Sequence, residues 1–144
     1  MRVTNALSVS SRLQIWNSNN NMEFSDKQPI YLQIADYVCE QILQQTWPPG
    51  ERIPSVRDLG SLLEVNPNTA MRAFDFLQQQ GILFNKRGMG YYAADDAPDQ
   101  VRALRRTRFL DVDLPDLFRT MTLLGISMSE IEARFATFQL ASAS

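Results

Sequence analysis

The chain has 144 residues, of which 44% are apolar and 21% charged, with a net charge of −2; that is enough for one or two small domains with an ordinary core and too little for a large catalytic domain. It has no histidine and one cysteine, Cys39, which removes a disulfide framework, a Cys–His nucleophile and the donor sets that hold transition metals, so neither a metal nor any other cofactor is expected. No apolar run is long enough to span a bilayer and the N-terminus lacks a secretion signal's apolar core, so no membrane partner is expected and the setting reads as cytoplasmic.

Residues 1–24 read as a disordered leader: Asn and Ser dominate up to the tract Asn17-Ser18-Asn19-Asn20-Asn21, and Met22 is a candidate start. A domain is expected over 25–94. Its first helix starts at about Pro29 and runs to about Gln45, with Ile30, Ile34, Val38 and Ile42 on one stripe, until Trp47-Pro48-Pro49-Gly50 stops it. Ser55 is a good N-cap for a second, short helix that buries Val56, Leu59, Leu62 and Leu63, with Asp58 completing an imperfect capping box. Val65-Asn66-Pro67-Asn68-Thr69 reads as a turn. The third helix then buries Ala70, Ala73, Phe74 and Leu77 and ends at Gly81. Ile82-Leu83-Phe84 and Tyr91-Tyr92-Ala93 flank Asn85-Lys86-Arg87-Gly88-Met89-Gly90, the pattern of a β-hairpin with a basic, glycine-containing tip.

The order helix, helix, turn, helix, hairpin gives a mainly α fold with a small β-hairpin, a winged helix-turn-helix. A short all-helical tail, 95–144, follows as a second module. Pro98 lies near a helix start, with Val101, Leu104 and Phe109 along it, and Pro115 reads as a break. Leu117, Phe118, Met121 and Leu124 come next, then Gly125, a capping box of Ser127 and Glu130, and a last helix carrying Ile131, Phe135 and Phe138. So short a segment cannot bury these side chains alone. Leu117, Phe118, Met121, Leu124, Ile131, Phe135 and Phe138 are therefore the expected dimerisation surface, the partner being a second copy of the chain.

In a helix-turn-helix the recognition helix presents its N-terminal residues to base edges in the major groove. Burial of Ala70, Phe74 and Leu77 turns Asn68, Thr69 and Arg72 outward, and these types can read adenine, meet a thymine methyl or phosphate, and present a donor fork to guanine. Ser55 and Arg57 stand at the second helix start, where free N–H groups favour phosphate. Lys86, Arg87, Gly88 and Gly90 form the hairpin tip, whose cations suit a minor groove and whose glycines permit close approach. Arg102, Arg105, Arg106 and Arg108 read instead as solvated charge with tail salt bridges. Acidic residues slightly outnumber basic ones between Ser25 and Ala93, so a double-stranded DNA face depends on where charge sits; a winged-helix protein-interaction module is the alternative. No nucleophile–base pair or phosphate loop can be assembled, so no enzyme is expected.

The stretch from Gln28 to Tyr92 resembles the DNA-binding domain of the GntR family of bacterial repressors. The resemblance rests on Pro29-Ile30-Tyr31-Leu32-Gln33-Ile34, on Pro49-Gly50-Glu51-Arg52-Ile53-Pro54-Ser55-Val56-Arg57-Asp58-Leu59, and on Asn66-Pro67-Asn68-Thr69 with Arg72-Ala73. The Asn-Pro-Asn-Thr form, the short tail and Leu123-Leu124-Gly125-Ile126-Ser127 resemble the YtrA subfamily, which carries a small helical dimerisation module in place of an effector domain. The resemblance implies a homodimeric DNA-binding transcription regulator, a repressor on a two-fold symmetric operator, and often control of transporter genes. Pro67 and Met71 stand where many relatives have arginine, so arginine contacts there are not implied. No residue identifies a small-molecule effector.

Overall fold

A computed structural model describes Phe24 and residues 28–143; the expected leader, Phe24 apart, and Met22 lie outside the described residues. Helix α1 spans Ile30–Leu43 and has Pro29 as its N-terminal cap residue. Ile34, Val38 and Ile42 are wholly buried, whereas Ile30 stays 47% exposed, so the apolar stripe begins one turn later than its spacing predicts. Tyr37, half-buried on α1, meets Trp47 edge-on, and burial pushes its hydroxyl well above the ordinary tyrosine range. Gln41 is also buried, and among the described residues neither its side-chain nitrogen nor its oxygen finds a hydrogen-bond partner.

Helix α2 spans Val56–Leu62, and the Ser55 hydroxyl oxygen accepts the Asp58 N–H at 3.1 Å, the cap that the sequence calls for. Helix α3 spans Pro67–Gln79 and begins inside the expected turn. Asn66 caps it by accepting the Asn68 N–H at 2.8 Å, and Pro67 occupies a first-turn position where its missing donor costs nothing. Gly60 lets the two helices meet closely: a Cβ there would stand 3.4 Å from the Val65 carbonyl oxygen and 3.6 Å from the Pro67 Cα. Ala70, Ala73, Phe74 and Leu77 are fully buried, as their spacing predicts, and α3 ends at left-handed Gly81.

Strands β1, Leu83–Lys86, and β2, Gly90–Ala93, pair antiparallel from Leu83 opposite Ala93 to Lys86 opposite Gly90. The connection is tighter than its composition indicates, because Asn85, Lys86 and Gly90 belong to the strands. The Met89 N–H closes the turn on the Lys86 carbonyl at 2.8 Å, with Gly88 left-handed. The segment before α2 adds to the hairpin: Arg52 bridges Tyr92, and the Ile53 N–H donates to the Tyr91 carbonyl at 2.9 Å. Phe74 of α3 meets Tyr91 edge-on, ring centroids 4.8 Å apart, and so fixes the hairpin root to the third helix.

Helix α4 spans Ala97–Arg108, a π-helical turn covers Phe109–Asp113, and helix α5 runs over Leu114–Leu124. Pro115 therefore does not break the path; it lies in the first turn of α5. The wide π turn ahead of it makes room for a ring that donates no N–H. Gly125, left-handed at φ 68°, ends α5, and helix α6, Met128–Ser142, starts at Ser127, whose hydroxyl accepts the Glu130 N–H at 3.3 Å. Only half of the expected capping box forms, because the Glu130 carboxylate pairs with Arg134 instead. The chain divides into two compact units between Arg102 and Ala103, with Ala97 and Val101 fully buried on the N-terminal side.

Candidate nucleic-acid interface

Helix α3 is built so that its core face determines its outer face. With Ala70, Ala73, Phe74 and Leu77 inward, Asn68 and Arg72 are exposed and Thr69 half-exposed, on the opposite side. Asn68 and Thr69 lie in the first turn and Arg72 follows one turn later. Asp75, exposed one further turn along, is a carboxylate on the same face that composition alone did not single out.

Arg72 is not splayed into solvent. Its guanidinium lies 4.0 Å from the centroid of the Tyr31 ring on α1. At α2, Arg57 is exposed and Ser55 half-buried; the Ser55 oxygen is engaged as a cap, and the Asp58 carboxylate shares the first turn, which leaves Arg57 as the cation of that corner.

The hairpin carries its cations on an aromatic surface. Phe84 and Tyr92 stack at 5.8 Å, and the Lys86 ammonium stands 4.6 Å from the Tyr92 centroid and 5.7 Å from that of Phe84. Arg87 and Gly88 are exposed at the tip. Gly90, at φ 105°, faces Arg52 so closely that a Cβ would lie 2.8 Å from the Arg52 Nε. Arg52 thus joins Lys86 beside the wing, a residue that the sequence reading missed; its place is set by the bridge to Tyr92, which only the fold reveals. Among the described residues no group of three potential metal ligands gathers. In the tail Arg102 pairs with Asp99 at 3.1 Å and Arg119 pairs with Asp116.

The sequence profile of the bacterial regulatory proteins of the gntR family matches residues 30–92, the span from the first turn of α1 to the penultimate residue of β2. The similarity also extends into the tail: the chain is 33% identical over 116 residues to the HTH-type transcriptional regulator YhcF of Bacillus subtilis, covering 81% of this chain and 94% of that protein. The chain belongs to the GntR family. A crystal structure of a GntR-family regulator from Bacteroides thetaiotaomicron superposes with a TM-score of 0.68 at 39% identity, covering 79% of this chain and 99% of that one. The HTH-type transcriptional repressor YtrA of Bacillus subtilis is 39% identical over 69 residues, which is 48% of this chain and 53% of that protein. The α1–β2 unit is therefore the DNA-binding winged helix-turn-helix of a GntR-family transcription regulator. No helix among the described residues is long and apolar enough to cross a membrane.

Proposed function

We propose that this GntR-family regulator works as a cytoplasmic homodimeric repressor on a two-fold symmetric operator, with no catalytic step of its own. The observation that carries the reading is the polar ridge of α3, Asn68, Thr69 and Arg72, opposite a fully buried face, with the cations of the wing on the neighbouring hairpin. Arg72 offers a planar donor fork suited to guanine, and Asn68 suits adenine. Thr69, Ser55 and Arg57 hold phosphates, and Lys86, Arg87 and Gly88 approach the minor groove, with Gly90 admitting Arg52 beside them. Domain roles divide as the sequence suggests, 25–94 binding DNA and 95–144 joining two copies.

Pairing through the tail is supported by apolar side chains that the single chain leaves in water. Leu117, Phe118, Leu124, Phe135 and Phe138 are all exposed, Ile131 is half-buried, and only Met121 of the seven is covered within one chain. Such a density of exposed large apolar groups marks an interaction surface. A two-fold dimer places two recognition helices on half-sites one helical turn, or a multiple of it, apart.

Selection of bound sites from random duplex DNA tests the reading. Arg72→Ala is expected to flatten base preference at one position in each half-site, a loss of about 1–3 kcal/mol of discrimination. Arg57→Ala is expected to lower affinity evenly across sequences. A wild-type protein that retains no duplex at low salt would contradict the proposal and favour a protein-interaction role.

A further inference from the structure

Arg72 is held from the other side of the helix-turn-helix. Its guanidinium lies 4.0 Å from the Tyr31 ring centroid. Tyr31 in turn meets Phe76 edge-on, centroids 6.4 Å apart and planes 74° to one another. Phe76 is one turn along α3 from Arg72, so the first turn of α1 and the middle of α3 are joined by a stack of Arg72, Tyr31 and Phe76. Tyr31 and Phe76 are both half-buried, which fixes the ring, whereas Arg72 is exposed. Among the described residues Arg72 makes no ion pair.

The chemistry of that stack matters for base reading. A guanidinium attracted to an aromatic face uses its own face, while its N–H donors lie in its plane and point outward at the edge. Stacking therefore restrains a long, flexible side chain without occupying a donor, so less ordering entropy is lost when the donor fork meets a base. A salt bridge would do the reverse, because a carboxylate would occupy the donors that a guanine needs.

We propose that Tyr31 is a positioning residue for sequence recognition, its ring presenting Arg72 edge-on to the major groove. This rests on the reading of Arg72 as a base contact. The ring face does the positioning and the hydroxyl is not needed, so Tyr31→Phe retains the function and Tyr31→Leu loses it.

The test is a double-mutant cycle in full-length protein, with a duplex selected by the wild-type protein from a random library as the probe. Tyr31→Leu is expected to weaken binding about two- to fivefold, the range of an exposed cation–π contact, and Tyr31→Phe to bind as the wild type does. In the Arg72→Ala background Tyr31→Leu is expected to cost nothing further. A loss that only damages the fold would multiply onto the Arg72→Ala loss, which overturns the proposal. Unchanged binding by Tyr31→Leu while Arg72→Ala weakens it overturns the pairing and leaves the Arg72 contact standing. Full affinity and base preference in Arg72→Ala removes the base contact itself, and the pairing with it.

Discussion

Gly90 illustrates how a residue can be singled out for one property and used for another. The sequence offers the tip glycines for close approach of the backbone to DNA, but the space beside Gly90 is taken by Arg52, and its φ of 105° already disfavours a side chain. Gly88 is also left-handed, at φ 77°, yet a Cβ there would meet nothing within 4 Å. Gly88→Ala should therefore lose only the backbone term, about 1–2 kcal/mol, while Gly90→Ala loses that and displaces Arg52 as well. Thermal melting checks the order, and equal losses would contradict it. The outward ridge of Asn68, Thr69 and Arg72 is legible in the sequence because their outward placement follows from the inward spacing of Ala70, Phe74 and Leu77. Arg52 and Tyr31 are not, because each acts through a neighbour distant in sequence: Arg52 through Tyr92 and Gly90, Tyr31 through Arg72.

At the scale of elements, the helices and the hairpin could be read from period and punctuation, and the disagreements fall where one residue type serves two purposes. Asn66-Pro67-Asn68 has the composition of a turn, but Asn is also a strong N-cap and Pro a favoured first-turn residue, so α3 starts two residues earlier than Thr69. The same ambiguity holds at Pro115, whose type suggests a break and which sits in the first turn of α5. The bridge of Arg52 to Tyr92 left no signal, since a single pairing has no alternation to detect. Asn66 sets the direction of the first turn that carries Asn68 and Thr69. Asn66→Ala is expected to lower folding stability by about 1 kcal/mol and to weaken DNA binding, with Asn66→Asp restoring most of the stability. Chemical denaturation with a parallel mobility-shift titration measures both, and unchanged values in Asn66→Ala would remove the cap from the account.

For the whole molecule, a net charge of −2 and a DNA-binding fold are reconciled by placement: Arg57, Arg72, Lys86 and Arg87 are exposed on the winged unit, and Arg102, Arg119 and Arg134 of the tail pair with local carboxylates. The proposed dimer adds the second requirement, two such surfaces on one operator. Phe135, 57% exposed, is a sensitive point in the tail. Phe135→Glu is expected to convert a dimer to a monomer in sedimentation velocity and to lower affinity for a two-half-site duplex far more than for a single half-site; a wild-type protein that sediments as a monomer when bound to DNA would contradict the pairing. The central claim, that the α3 ridge enters the major groove, is tested most directly by guanine N7 methylation protection on a selected duplex. The account predicts one protected guanine in each half-site, with protection lost in Arg72→Ala and kept in Lys86→Ala. Guanine N7 protection that survives Arg72→Ala, or methylation protection confined to adenine N3 in the minor groove, would contradict it.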